Sequence, residues 1–404
     1  MTNREPNEYP LVTLLKGREK RFESGHQWIF SNELNPMDIR PEAGDIVNIG
    51  NTAGKILGVG FYHPHSLISV RLLSRKQIIV DEAFLEERIS QAIQFRHKFL
   101  TKDNNAARLV HAESDGLPGL IVDRYANTLV LQILSAGMDR QRNIVISILK
   151  KLVNPDRIIL RNDHPMRKLE NLNLEKQIVF GTDNDIPLMI TENSVHFLVD
   201  PLNGQKTGFY IDQRDNRMMF RKYINSGDRV LDAFCHSGGF ALNAALAGAG
   251  EVLAVDDSGP VLEIARENYR INGFEHIITS RKADMMKLLP EMVQIKSRFD
   301  AINLDPPSFA ANRKSVGAAL RGYRKIHRAA LTILTPGGIL ATSSCSHHIT
   351  EDAFMETVQK AGRDTGKQVQ LIYRGSNPPD HPILPEMPET GYLKFLIFRL
   401  TELH

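Results

Sequence analysis

At a typical domain length of about 150 residues, 404 residues make two to three domains, and 42% hydrophobic with 24% charged content argues against a disordered, collagen-like or coiled-coil chain. Fifty basic against 47 acidic residues leave a net charge of +3, so any nucleic-acid contact is local and not that of a uniformly basic coat protein. Two cysteines, a start without an apolar leader and no 18-residue apolar run argue against a disulfide framework, a metal cluster, secretion and a membrane span, and make the cytoplasm the expected compartment.

The first 75 residues read as short strands broken by turn residues: Leu11 to Leu15, Gly44 to Ile49, Lys55 to Tyr62 and Ser66 to Leu73. Within this β-rich module Lys16, Arg18, Lys20 and Arg21 precede Ser24-Gly25-His26-Gln27-Trp28-Ile29-Phe30, which carries the chain's one tryptophan. Basic residues interleaved with aromatics suit RNA, and a solvated face beside a core Trp is the alternative. Phe84, Ile89, Ile93 and Phe95 predict a helix over 81–100. After the turn Asp115-Gly116-Leu117-Pro118-Gly119, a hairpin is expected from Leu120 to Tyr125 and Thr128 to Leu134. A helix over 140–152, a strand over 157–161 and short strands over 178–200 complete a central domain with no chemical motif of its own.

From Arg229 the pattern alternates strand and helix: Arg229 to Ala233, Ala241 to Ala247, Glu251 to Val255, Val261 to Asn272, Ala301 to Leu304, Ala318 to Leu334 and Gly338 to Ser343. Such alternation predicts a parallel sheet covered on both faces, with ligands at the carboxyl ends of its strands. The first strand ends in Asp232-Ala233-Phe234-Cys235-His236-Ser237-Gly238-Gly239, a turn that a ligand can approach closely. The second ends in Asp256-Asp257, placed to bond a ribose diol, and Lys282-Ala283-Asp284 puts an acid where an adenine amino group could be held. A nicotinamide cofactor would also fit an acid there, but the dinucleotide fingerprint G-x-G-x-x-G is absent, so a nucleoside without phosphates, S-adenosylmethionine, fits better.

Asp305-Pro306-Pro307-Ser308-Phe309 follows a buried strand, and its prolines leave a rigid ledge beside Asp305 on which a planar base could rest. Phe309 either stacks on that base or packs in the core. The last strand of the alternation runs out into Ser343-Ser344-Cys345-Ser346-His347-His348, a polar setting that suits a nucleophile better than a structural thiol, whereas Cys235 reads as packing. A thiolate beside a methyl donor solves a specific problem: carbon 5 of a pyrimidine is too weak a nucleophile until sulfur adds to carbon 6. Between Pro306 and Thr350, Arg313, Lys314, Arg321, Arg324, Lys325 and Arg328 stand without one acidic residue, a pattern that favours phosphate contacts over a merely solvated face.

With these residues in hand, the chain resembles the large-subunit ribosomal RNA methyltransferase I family, bacterial S-adenosylmethionine-dependent 5-methylcytosine enzymes, over nearly its whole length. Lys16-Gly17-Arg18 through Phe30 is similar to the family's PUA domain, and Asp115 to Tyr125 to its central signature. Thr207-Gly208-Phe209-Tyr210-Ile211-Asp212-Gln213-Arg214 is similar to the segment closing over the cofactor, and Leu304-Asp305-Pro306-Pro307 and Ser343-Ser344-Cys345-Ser346 to the catalytic motifs. The resemblance implies an α/β protein with three parts: a PUA-like RNA-binding β-barrel over 1–75, a small α+β domain over 76–190, and a doubly wound class I (Rossmann-like) methyltransferase domain over 191–404. It implies that Phe209, Tyr210, Arg214, Asp232, Phe234, Gly238, Asp256 and Asp284 hold S-adenosylmethionine. Asp305 would meet cofactor or target base, Cys345 would be the nucleophile, and no metal would take part. Lys16, Arg18, Lys20, Arg21, Arg313, Lys314, Arg321, Arg324 and Lys325 would meet ribosomal RNA; no membrane partner is expected, and a homodimer stays open. His236 departs from the family pattern, standing where an aromatic is expected. The Asp-Pro-Pro-x-Phe form is also similar to enzymes that methylate guanine nitrogens, which keeps that chemistry as a rival beside a non-catalytic RNA-binding assembly factor.

Overall fold

A computed structural model describes residues 5–37, 41–310 and 312–401. The chain forms two compact units. One comprises the chain up to Thr191 with Val199–Ile211 and Pro379–Thr390; the other comprises Glu192–Leu198, Asp212–Pro378 and the chain from Gly391 onward.

The first unit begins with a five-stranded sheet of β1 (Leu11–Thr13), β2 (Trp28–Phe30), β3 (Ile46–Gly50), β4 (Ile56–Tyr62) and β5 (Ile68–Ser74), in the order β1-β3-β4-β5-β2. β1 and β2 are the outer strands of this order, and the chain beyond them meets across one bridge, Leu14 with Leu34, with Leu15 N–H donating to Glu33 O and Asn35 N–H to Thr13 O, so the expected β-barrel is a half-barrel joined at that bridge. Strand β2 is three residues long and flanked by the helical turn α1 (Lys20–Glu23), too short to show a period of two in the sequence. Helix α2 (Glu82–Arg96) starts where the Asp81 carboxylate accepts the Phe84 N–H at 2.9 Å, and it buries Leu85, Ile89 and Ile93.

A second five-stranded sheet follows, built from β6 (Ala106–His111), β7 (Leu120–Tyr125), β8 (Thr128–Ile133), β9 (Arg157–Asn162) and β10 (Glu175–Phe180) in the order β10-β9-β8-β7-β6. The helix expected over 140–152 is α4 (Arg142–Val153), and a short helix the sequence does not suggest, α3 (Ala136–Arg140), precedes it, separated at Gln141. The two sheets share one core: Val59, Phe61 and Leu73 pack with Ile89, Leu120, Leu131 and Leu149. Phe61 lies so close over Gly137 that a Cβ there would stand 2.1 Å from its Cγ. This shared core explains why residues on either side of position 75 fall in one unit. Strands β11 (Leu188–Glu192) and β12 (Val195–Val199) form a two-stranded sheet where the chain passes from one unit to the other.

The second unit contains α5 (Arg214–Arg221), β13 (Arg229–Ala233), α6 (Gly239–Leu246), β14 (Glu251–Asp256), α7 (Gly259–Ile271), β15 (Ile278–Lys282), α8 (Met285–Gln294), β16 (Phe299–Leu304), α9 (Val316–Ile333), β17 (Leu334–Ser344), α10 (Glu351–Thr365), β18 (Gln368–Gly375) and β19 (Lys394–Thr401). The strand order is β15-β14-β13-β16-β17-β19-β18. The five strands from β15 to β17 are parallel, as expected, but β19 runs antiparallel to both β17 and β18, so the sheet is mixed. Chain order reverses between β14 and β16 on either side of β13, which makes the carboxyl edge there the ligand-binding crevice of the sheet. Leu231, Ile302, Leu340 and Leu396 on successive strands, with Tyr323, Ile326 and Phe354 from the covering helices, form its core. Among the described residues no helix is long and apolar enough to cross a membrane.

Candidate active site

Parallel strands deliver their carboxyl ends to one edge, so Asp284 after β15, Asp256 at the end of β14, the turn after β13, Asp305 after β16 and Cys345 after β17 stand in spatial order along it. From β14 to β17 is three strand spacings, about 14 Å.

The turn after β13 alternates into the left-handed region at Phe234 (φ 63°), His236 (φ 49°) and Gly238 (φ 82°). Gly238 must be glycine, because a Cβ there would lie 2.3 Å from the Tyr269 ring. Asp232 anchors the turn from below: fully buried, it accepts the Ala241 N–H at 2.8 Å and the Asn303 amide at 2.9 Å. Burial pushes its carboxyl up to about 7; those two hydrogen bonds oppose the shift, and the Asp305 and Asp256 charges add to it. With both oxygens engaged inside the fold, Asp232 shapes the turn from beneath.

A buried acid whose folded pKa exceeds the unfolded value of about 3.9 contributes stability that is full below that value and is lost as pH rises through about 7. Asp232→Asn removes this titration. The melting temperature of wild type relative to the variant should therefore fall between pH 5 and pH 8 in scanning calorimetry; a constant difference would mean that Asp232 ionises normally.

Asp256 is half-buried, and two backbone donors fix its carboxylate: His236 N–H on Oδ2 and Ser258 N–H on Oδ1, both at 3.0 Å. Each oxygen keeps a lone pair for a ligand hydroxyl. Asp284 is exposed and caps α8, accepting the Met286 N–H at 2.8 Å through Oδ1. Arg214 opens α5 with its guanidinium buried and its Nε donating to Asp215 at 2.9 Å. Phe209 and Tyr210 belong to the first unit, where the Phe209 carbonyl accepts from Tyr125 Oη at 3.3 Å and the Lys206 ammonium lies 4.3 Å from the Tyr210 ring centroid.

At the other end of the edge, Asp305 is half-buried and accepts from Gln213 Nε2 at 3.1 Å. The same amide nitrogen donates to Ser343 Oγ at 3.1 Å, while Gln213 Oε1 accepts from Asn216 at 2.7 Å. Gln213 thus ties the end of β16 to the end of β17, a role the sequence does not reveal because its partners lie 92 and 130 positions away. Beneath them His327 is buried between the Thr342 and Thr357 hydroxyls, at 2.9 and 3.0 Å, and burial pushes it down to about 3, so it is neutral.

Cys345 is half-exposed between buried Ser344 and Ser346. Tyr323 Oη donates to Ser344 Oγ at 3.1 Å, and Ser346 Oγ lies 2.8 Å from Ser308 Oγ. Cys235 is the opposite case: buried, with desolvation pushing its thiol well up. His347 and His348 are exposed, and Phe309 packs on Tyr323 with ring centroids 4.7 Å apart.

In the first unit, Lys16, Arg18 and Lys20 are exposed, while Arg21 lies over the Phe30 ring at 4.7 Å and 3.3 Å from Glu33. Trp28 is fixed by its Nε1–H, which donates to Glu113 at 2.9 Å. In the second, Arg313, Lys314, Arg321, Arg324 and Lys325 are all exposed. Arg324, however, holds Asp364 of α10 in a bidentate pair at 2.6 and 2.7 Å. The segment without acids in sequence therefore meets one in space.

The family model described as an S-adenosylmethionine-dependent methyltransferase matches residues 182–399, and that of a PUA-like domain matches residues 12–75. Ribosomal RNA large subunit methyltransferase I of Shewanella amazonensis is 41% identical over 392 residues, 96% of this chain and 99% of its own. The protein of the same name from Klebsiella pneumoniae is 39% identical over 389 residues, covering 96% and 97%. A solved structure from Streptococcus mutans, provisionally named a SAM-dependent methyltransferase, shares the fold with a TM-score of 0.83 at 18% identity, covering 96% of this chain and all of that one. A carboxyl edge with acids after successive strands, matched along nearly the full length at this identity, leaves one assignment: the chain belongs to the ribosomal RNA large subunit methyltransferase I family, and it is an S-adenosylmethionine-dependent methyltransferase.

Proposed function

We propose that this enzyme methylates carbon 5 of a cytosine in large-subunit ribosomal RNA, in the cytoplasm, with Cys345 as the nucleophile. The observation that carries the reading is the half-exposed thiol at the end of β17, next in the sheet to Asp305, while the other cysteine is buried. The donor set fits the cofactor: carboxylates follow β14, β15 and β16, and no lysine or arginine in the β13 turn stands ready for a pyrophosphate. Asp256 would take the ribose hydroxyls and Asp284 the adenine edge, with Phe234, Gly238 and the Asp232-anchored turn against the methionine part and Arg214 beside them. When bound, S-adenosylmethionine supplies an electrophilic methyl group.

The chain's own residues prepare the base to accept it. The Cys345 thiolate forms a bond to carbon 6 as the carbon 5–carbon 6 π pair is displaced onto carbon 5 and delocalised through carbon 4 toward N3, so that carbon 5 becomes nucleophilic. After carbon 5 is methylated, loss of its proton restores the double bond, and the sulfur–carbon pair returns to Cys345. Asp305, held by Gln213, borders this chemistry on the β16 side. The test is nucleoside mass spectrometry of ribosomal RNA from cells with and without the protein. A 5-methylcytosine that depends on the protein is expected; a methylated guanine in its place would overturn the cytosine assignment.

RNA would be gripped by local charge, with the PUA-like part over 1–75 and the α9 region each offering contacts of its own. Each lost phosphate contact lowers the salt slope of binding by roughly 0.7–0.9. Arg321→Ala and Lys325→Ala should each do so in fluorescence anisotropy across a salt series. Arg324→Ala should change the slope less, since Asp364 already neutralises that guanidinium. Unchanged slopes in the first two variants would remove α9 from the RNA path.

A further inference from the structure

Strand β19 opens with a lysine and continues with four buried apolar residues, Phe395, Leu396, Ile397 and Phe398. Lys394 itself is only 8% exposed. An ammonium withdrawn from water is destabilised unless dipoles or negative charge compensate it. Two carbonyls do part of this: Nζ donates to Ser346 O at 2.6 Å and to Tyr392 O at 2.8 Å. An ammonium has three donors, so these bonds leave one more.

The ladder decides where that charge stands. Ser344 of β17 pairs with Lys394 through the backbone ladder, and the Lys394 ammonium reaches the carbonyl of Ser346, so the residue is tied to the positions on both sides of Cys345, by its backbone on one side and its ammonium on the other. Burial pulls Lys394 down to about 8, while negative charge on Cys345 and on Glu351 at the start of α10 pulls it back up. That interaction is reciprocal: a thiolate that favours the ammonium is favoured by it to the same extent. Asp305 and Cys345 both act on the Tyr323 phenol, which burial keeps protonated at about 12, and beyond them the His347 and Tyr392 rings lie 5.5 Å apart. Glu351 is already paired with Arg374 at 3.2 Å and Asp305 is held by the neutral Gln213 amide, so the Lys394 ammonium is left to answer charge on Cys345.

We propose that Lys394 is a positioning residue for the methyl transfer: its buried ammonium, anchored on Ser346 O and Tyr392 O, pairs with the Cys345 thiolate and keeps the nucleophile ionised. The inference rests on the reading of Cys345 as that nucleophile. The S–H proton leaves to water, the lone pair stays on sulfur, and the ammonium keeps its protons.

The pair can be read without RNA, from the pH dependence of Cys345 alkylation by iodoacetamide, followed by peptide mass. In that reaction the sulfur–carbon bond forms as iodide leaves. Wild type should show a midpoint clearly below the ordinary thiol value of about 8.5. Lys394→Met should raise it by about one pH unit or more, a roughly tenfold slower reaction at pH 7, while Lys394→Arg stays close to wild type. Buried Cys235 is the unreactive internal control. An ordinary wild-type midpoint overturns the proposal even if the methionine variant does not fold, and so does a midpoint that ignores the loss of the charge. Because this readout involves no base, failure to methylate cytosine would count against the role of Cys345 and not against the pair.

Discussion

Cys345→Ser is expected to abolish 5-methylcytosine formation, by at least about a thousandfold, with cofactor and RNA affinity within about twofold of wild type. A serine hydroxyl ionises far above a thiol, so it cannot add to carbon 6 as a thiolate does. The substitution is otherwise mild. Ser344 and Ser346 already flank the site, held by Tyr323 and Ser308, and the residue between them is half-exposed, so a hydroxyl there creates no buried unpaired group. Labelled methyl transfer into RNA, with calorimetry for the cofactor, separates lost chemistry from lost binding. Near-normal transfer by the serine variant would point to an acceptor that needs no covalent activation, such as a guanine nitrogen.

The second large effect concerns Asp256. A carboxylate accepting from two ribose hydroxyls forms charge-assisted bonds, and here it is already aimed by the His236 and Ser258 N–H groups, so little ordering remains to be done on binding. Asp256→Ala should weaken S-adenosylmethionine by about 1.5–3 kcal/mol in calorimetry. NAD should not bind either protein. An unchanged cofactor affinity would take Asp256 out of the site, and with it the placement of the nucleoside over β14.

Much of this edge is legible in the sequence because its logic is local. The strands 229–233, 251–256 and 299–304 are short apolar runs, and the residues that matter come at their ends, so reading the run locates the acid. The antiparallel strands β18 and β19 are not legible in that way. They are joined through 376–393, without a crossover helix between them, and β19 pairs with a strand some fifty residues earlier in the chain. Lys394 is hidden for the same reason: only the ladder shows that a lysine opening an apolar strand faces Ser344. Gln213 lies within a recognisable segment, yet its bonds to Asp305 and Ser343 join three distant stretches of chain. The charge pattern around α9 misleads in the reverse sense, since a window without acids cannot report that Asp364 comes over from α10.

Covalent capture on substrate RNA carrying 5-fluorocytosine tests the central claim most directly. Fluorine cannot leave carbon 5 as a proton does, so once sulfur is on carbon 6 and the methyl group is on carbon 5 the adduct cannot resolve. Wild-type enzyme with S-adenosylmethionine should give a protein–RNA species stable to denaturation, with the RNA mass on the peptide containing Cys345, and Cys345→Ser should give none. An enzyme that methylates natural RNA at cytosine without leaving such an adduct, or one that traps RNA equally well without Cys345, would contradict the account.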